Sequence, residues 1–432
     1  MKRTSLSRWI RGDVADPLPE SICALPWLNL SLDVDGTSRP CCKFAHQTAE
    51  SPYQMANLQH STLEEVWNSE GMQKLRRDFR AGVRPAECST CWDEEAGGVV
   101  SLRQTFAEYR DMKGAVEYNE TAPETPKALD LKLSSACNLK CRICGPVASS
   151  LWLQEELSVK EPKPGSFIAQ LAEQRTYYLS NKITRHPANL DTIRKWLPHL
   201  QYLELTGGEP MLSPENRELI ELIAEEGHPQ QVGILFNTNA TIIDDRILRH
   251  LGNFREVKIC LSIDDLGERF EYERAPARWD VLTTNLDRYQ SVAGDTWKLY
   301  AFCSISLLNV WYLPEYLTWL SSREDRTPLE FVLNLVHYPR HFSVQVLPDQ
   351  TKAAVRARLT SAVLDNKDFS DDVREAVRQL VDFMGHARHD DAQQFKAGMA
   401  EIVERDGIRG EHYARVFPEF TAELKRSGGW PE

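Results

Sequence analysis

The sequence predicts an α/β fold, a partial (β/α)6 barrel with a small β-hairpin-containing domain ahead of it and a helical region behind. Three observations carry that expectation. Between residues 128 and 337, short apolar strand-like runs alternate with amphipathic helical stretches, an order that demands parallel strands with crossover helices. The first hundred residues hold Cys23, Cys41, Cys42, Cys88 and Cys91, half of the 10 cysteines, around a hairpin signal. After about residue 350 every periodic run is helical and no strand signal remains.

Taken in order, the barrel strands are expected at 128–134, 202–205, 232–236, 257–263, 299–305 and 331–336, with helices at 214–226, 244–251, 279–289 and 313–320. The stretch 158–200 is longer than a standard connection and carries its own helical pattern at 183–200, so it reads as an insertion. In the tail, 352–364, 371–384 and 391–404 read as helices. The expected division is 1–100 for the cysteine domain, 101–127 for a connector, 128–345 for the barrel and 346–432 for the helical region.

A chain of 432 residues exceeds the size at which one core stays single. Hydrophobic residues at 42% and charged residues at 26% are ordinary for a soluble globular protein. No apolar run is long enough to span a bilayer, and Arg11, Gly12 and Asp13 interrupt the basic opening before a signal-peptide core forms. No membrane association and a cytoplasmic location are therefore expected. A net charge of −12 argues against DNA or other phosphate backbones as partner. Cys-x2-Cys spacings in such a chain point to metal rather than disulfides.

The strongest signal follows the first barrel strand: Cys137-Asn-Leu-Lys-Cys141-Arg-Ile-Cys144. Three thiolates on one loop bind three irons of a [4Fe-4S] cube and leave the fourth open to a ligand. A structural zinc site would want a fourth Cys or His nearby. Cys-x3-Cys-x2-Cys is the hallmark of the radical S-adenosylmethionine (SAM) superfamily, which the chain resembles here. The resemblance implies a TIM-like barrel, SAM as cofactor, and Ile143 beside the adenine. After the second strand, Thr206-Gly207-Gly208-Glu209-Pro210 resembles that family's GGE motif, where glycines admit close backbone approach and Glu209 receives the methionine ammonium. By the same resemblance Ser262 and Arg274 meet the SAM carboxylate, Asn239 or Asp264 the ribose, and the sixth strand around Leu333 the adenine. As single residues, Asn239 and Asp264 read equally as caps or turns.

In the front block, Leu28, Leu30, Leu32 and Val34 alternate with polar residues before Asp35-Gly36 and a return to Pro40-Cys41-Cys42, which predicts a β-hairpin. With Cys88-x2-Cys91 the hairpin supplies thiolates for a closed site. The run Cys23-x12-Gly36-x4-Cys41, with Asn57-Leu58, Trp67-Asn68 and Arg76 before Cys88, resembles the SPASM and twitch auxiliary-cluster domains, placed here before the barrel instead of after it. That resemblance implies a second [4Fe-4S] cluster on Cys23, Cys41, Cys88 and Cys91, with Cys42 the alternative to Cys41 and a zinc ribbon the alternative to the cluster. Cys260 and Cys303 read as small buried hydrophobes, and Cys303, on an inward-facing strand, is also a candidate hydrogen-atom donor.

The function so implied is reductive cleavage of SAM to a 5′-deoxyadenosyl radical that takes a hydrogen atom from a substrate. An external one-electron donor such as flavodoxin or ferredoxin is implied with it. SPASM-type relatives point to a peptide or protein side chain as substrate. A small metabolite, or a non-catalytic electron-transfer role, are the alternatives.

Overall fold

The computed structural model describes residues 19–45, 50–96, 100–109, 118–119, 123–175, 183, 187–323 and 328–430. The basic opening, part of the expected connector and the start of the helix expected at 183–200 lie outside them. The strands are β1 (Asn29–Leu32), β2 (Ser38–Arg39), β3 (Ala128–Leu131), β4 (Tyr202–Leu205), β5 (Gly233–Thr238), β6 (Glu256–Ser262), β7 (Trp297–Ile305) and β8 (Leu329–Leu335). They follow one another in the sheet as β2-β1-β3-β4-β5-β6-β7-β8. The six expected barrel strands are all present. One feature was not expected: β1 pairs parallel with β3, Asn29 opposite Ala128 through Leu32 opposite Leu131, so the hairpin extends the sheet. Pairing between segments a hundred residues apart leaves no mark in a single sequence.

The chain separates into two compact units, Met1–Ala136 with Glu173–Phe236 and Asp244–Val257, and Cys137–Ala172 with Asn237–Ile243 and Lys258–Glu432. In the first, period-two alternation sorts the strands. Leu30, Leu32, Leu129, Leu131, Leu203 and Leu205 are buried on one face, each worth roughly 1.5–3 kcal/mol. On the other face Arg39, Ser31, Asp130 and Glu204 stand in register across four strands. The hairpin turns at Gly36, whose φ of 80° suits a residue without Cβ. Asn57 clips that turn, its Nδ2 donating to Asp35 O at 3.0 Å and Thr37 Oγ1 at 3.1 Å. Helix Pro214–Glu226 starts on Ser213, which accepts from Asn216 N, with Pro214 at the first turn, and buries Leu219, Ile220 and Ile223.

In the second unit β7 and β8 pair in parallel from Leu299 opposite Leu329 to Ile305 opposite Leu335. Its tail is helical, as expected: Asp349–Leu359 running into a π-turn at Thr360–Leu364, then Asp371–Gly385 capped by Ser370, then Asp391–Arg409. The last ends on Gly410 at φ 64°. No helix among the described residues is long and apolar enough to cross a membrane.

Candidate functional site

The front thiols come together within the first unit. Cys23 precedes the short helix Leu25–Leu28, Cys41 follows β2, Cys88 ends a 3-10 turn, and Cys91 lies in helix Ser89–Ala96. All four line one small cleft with Phe44 and Phe79, whereas Cys42 lies outside it and is exposed. Burial pushes the Cys23 and Cys41 thiols up to about 12 and raises Cys88 and Cys91 as well, with neighbouring thiols adding to the shift at Cys23, Cys41 and Cys88. Such a site disfavours bare thiolates, and positive metal is what offsets that cost. Among the described residues, no three His, Cys, Asp or Glu side chains gather around one ion-sized point. The thiols ring the cleft instead. Buried Arg76 ties the domain together, donating to Pro26 O at 2.8 Å and Trp67 O at 3.1 Å, and accounts for that part of the motif.

The loop Cys137–Cys144 belongs to the second unit and is held from several directions. Ser149 Oγ donates to Leu139 O at 2.5 Å and Trp152 Nε1 to Cys141 O at 2.7 Å, both at the start of helix Ser150–Val159. Lys140 N and Arg142 N donate to Ala275 O and Glu273 O at 2.7 Å each. Three donors point at sulfur: Leu139 N at 3.4 Å and Asn239 Nδ2 at 3.9 Å from Cys137 Sγ, and Arg274 Nη1 at 3.9 Å from Cys141 Sγ. Donors at sulfur are what an iron-sulfur cluster's thiolates use to tune their potential, so the donor set fits such a group. Cys141 and Cys144 share a hydrogen bond that lowers the first and raises the second. Cys144 is exposed.

The remaining expected residues are placed as follows. Gly207 and Gly208 pack on the segment that leads into Cys137. A Cβ on Gly208 would lie 2.2 Å from Ala136 O, and one on Gly207, at φ +112°, 2.8 Å from Ser134 O. The glycines are required by this chain's own backbone, which the motif alone did not reveal. Glu209 is buried beside Pro210, and its Oε1 accepts from Met211 N at 3.0 Å. Asn239 joins Asn138 at 2.9 Å and accepts from Thr241 N. Arg274 is buried and paired with Asp264 at 2.6 Å, and Asp264 also accepts from Ser304 N at 2.8 Å. Ser262 and Ile143 are half-buried, as is Leu333, the register partner of Cys303. Cys303 is wholly buried and donates to Asp264 O at 3.3 Å.

Sequence reasoning missed two groups. Arg142, between two of the cysteines, is 1% exposed; it pairs with Asp406 at 2.7 Å and with Glu411, and lies 4.0 Å over the Tyr272 ring. Glu155 likewise receives Lys140 and Arg409. The helical tail therefore braces the cysteine loop, through ion pairs more than 250 residues apart that no local pattern announces. In the first unit the polar row across β2, β1, β3 and β4 was also missed. Ser31 Oγ donates to Asp130 at 2.8 Å, and one step along Lys132 pairs with Asp33 at 2.6 Å. Alternating strands with Ser, Asp and Glu at the same phase were the available signal.

Residues 23–92 match the family model of SPASM, described as an iron-sulfur cluster-binding domain. Among curated proteins the chain is similar to GTP 3′,8-cyclase of Vibrio cholerae serotype O1, 24% identical over 199 residues that make up 45% of the chain and 51% of the relative. It thus spans about half the length of the curated relatives it matches. Among solved structures it is similar to native anSMEcpe with bound AdoMet, at 16% identity and TM-score 0.33, covering 55% of this chain and 62% of that one. It is also similar to Streptococcus suis SuiB bound to precursor peptide SuiA, at 14% identity and TM-score 0.28, covering 58% and 62%.

Proposed function

We propose that this chain is a SAM-cleaving enzyme that takes a hydrogen atom from a side chain of a peptide or protein. The observation that carries the reading is the loop of Cys137, Cys141 and Cys144, which offers three thiols, two of them receiving donors at sulfur, and leaves Cys144 exposed. In this reading those three hold a [4Fe-4S] cluster, and Cys23, Cys41, Cys88 and Cys91 hold a second. The first cluster and SAM, reduced by an external one-electron donor, supply a 5′-deoxyadenosyl radical. The protein's part is orientation. By the resemblance, the 207–210 turn of the first unit and Ile143, Asn239, Ser262 and Arg274 of the second are the positions that orient SAM. The SPASM domain favours a peptide, by resemblance to peptide-modifying enzymes built with that module.

Release of 5′-deoxyadenosine from SAM and dithionite by the reconstituted protein tests the chemistry; no release at full iron loading would point to an electron relay. The cyclase likeness favours a second reading, a nucleotide-sized substrate, and faster SAM turnover with a nucleoside triphosphate than with peptide would select it.

A further inference from the structure

Among the described residues, the charged side chains that line the cleft of the four front thiols are Lys43 and Arg103, and both are cations. Their carboxylate partners, Glu94 and Glu95, do not line it. Arg103 comes from helix Leu102–Tyr109, beyond the stretch 23–92 that matches SPASM. Its Nε and Nη2 donate to Glu95 Oε1 at 2.9 Å and Oε2 at 2.5 Å, and its Nη1 donates to Glu20 O at 2.8 Å and to Ile22 O at 2.9 Å, next to Cys23. The side chain is 8% exposed and its guanidinium lies 5.0 Å over the Trp92 ring. Its backbone N–H donates to the Cys91 sulfur, as Leu25 N does to Cys23 and as Lys43 N and Phe44 N do to Cys41. The cation is therefore fixed beside the thiols, with the negative end of its ion pair outside the cleft. Against the burial that raises the Cys23 thiol, Arg103 pulls it down more than Glu95 pushes it up.

We propose that Arg103 sets the reduction potential of the front cluster by holding a fixed cation against the thiolates of Cys23 and Cys91, with Lys43 adding a smaller share. A cube on four thiolates is an anion, and the electron it accepts adds one more negative charge, so a cation at its edge favours the reduced form. Charge and donors at sulfur are the levers by which a protein tunes such a group. Lys43 has a side chain 33% exposed, so water screens its charge more than that of Arg103. The orientation of the Arg103–Glu95 pair thus suits a cluster that takes an electron rather than one that gives it. The inference rests on the reading of the front cleft as a cluster site and deepens it, because it assigns a role to the helix that follows the SPASM match.

The test is a redox titration, followed by electron paramagnetic resonance, of the full-length chain carrying Cys137→Ala, Cys141→Ala and Cys144→Ala, so that the front cluster alone is observed. Arg103→Met should lower the midpoint by about 59 mV or more, a loss of about tenfold in the one-electron equilibrium. Arg103→Lys should keep most of the native value, and Lys43→Met should lower it by less than Arg103→Met does. Glu95→Gln keeps an acceptor for the guanidinium but removes the opposing charge, so it should raise the midpoint. Shifts of opposite sign are the signature of an oriented ion pair, since a loosened domain would move both variants the same way. An unchanged midpoint in Arg103→Met at full iron content overturns the proposal. If Arg103→Met loads no iron, Glu95→Gln decides: a rise supports the proposal, and a fall or no change overturns it. A front site that holds zinc and shows no reduction wave overturns the cluster reading itself, whereas a reducible cluster indifferent to both variants strikes only the role of Arg103.

Discussion

The two cysteine groups are built on opposite principles. The front four are gathered by short elements within seventy residues and enclosed as neutral thiols, while the three of the Cys137–Cys144 loop are fixed by charged residues from the far end of the chain. Enclosure suits a group that only stores or passes an electron. An exposed thiol on a braced loop suits one that must admit a ligand without moving.

The sharpest way to break this contrast is to remove one thiol from each group. Cys144→Ala should abolish 5′-deoxyadenosine release, whereas Cys91→Ala should leave SAM cleavage in place, and each should cut iron from about eight to about four per chain. Equal loss of SAM cleavage in both would erase the distinction. Next in size, Gly208→Ala drives a Cβ into Ala136 O and displaces the approach to Cys137. SAM turnover should fall on the order of 100-fold while the front cluster's absorbance is kept. A smaller effect is expected from Arg142→Met, which takes the cation from Asp406 and Glu411 while Tyr272 OH and Tyr413 N still donate to Asp406. Unfolding by urea should show a loss of roughly 2–4 kcal/mol, the range set below a fully buried pair because Glu411 is a quarter exposed.

The smallest effect separates buried charge from buried thiol by pH. Burial pushes the Asp265 carboxyl up to about 7 against the pull of Arg269. The folded value lies above the unfolded one of about 3.9, so folding favours the neutral acid. That contribution is full below about pH 4 and lost as pH rises to about 7. Relative to Asp265→Asn, which cannot ionise, the native Tm should therefore drop by a few degrees, roughly, between pH 4.5 and 7.5. A flat difference would show that the carboxylate is stabilised as it stands. The metal-free front site titrates elsewhere: with Cys23 and Cys41 raised to about 12, it loses stability only as pH climbs above about 9.

What was legible in the sequence follows from range. The βα alternation, the Asp35-Gly36 hairpin and the tail helices rest on local periodicity and turn chemistry, and the structure shows each of them. Gly207 and Gly208 were legible as glycines that something must approach, though not that Ser134 and Ala136 do so. Arg142 and Glu155 were illegible because their partners lie on helix Asp391–Arg409 and just beyond it, and a buried ion pair has no spacing to find.

The parallel pairing of β1 with β3 bears on how the protein can be cut. Residues 29–32 satisfy one whole side of the Ala128–Leu131 backbone, so a shortened version starting near residue 60 would carry a raw strand border of bare amides and carbonyls. Such a border recruits strands from other molecules, and the trimmed protein would precipitate or self-associate before it could serve as a minimal catalyst.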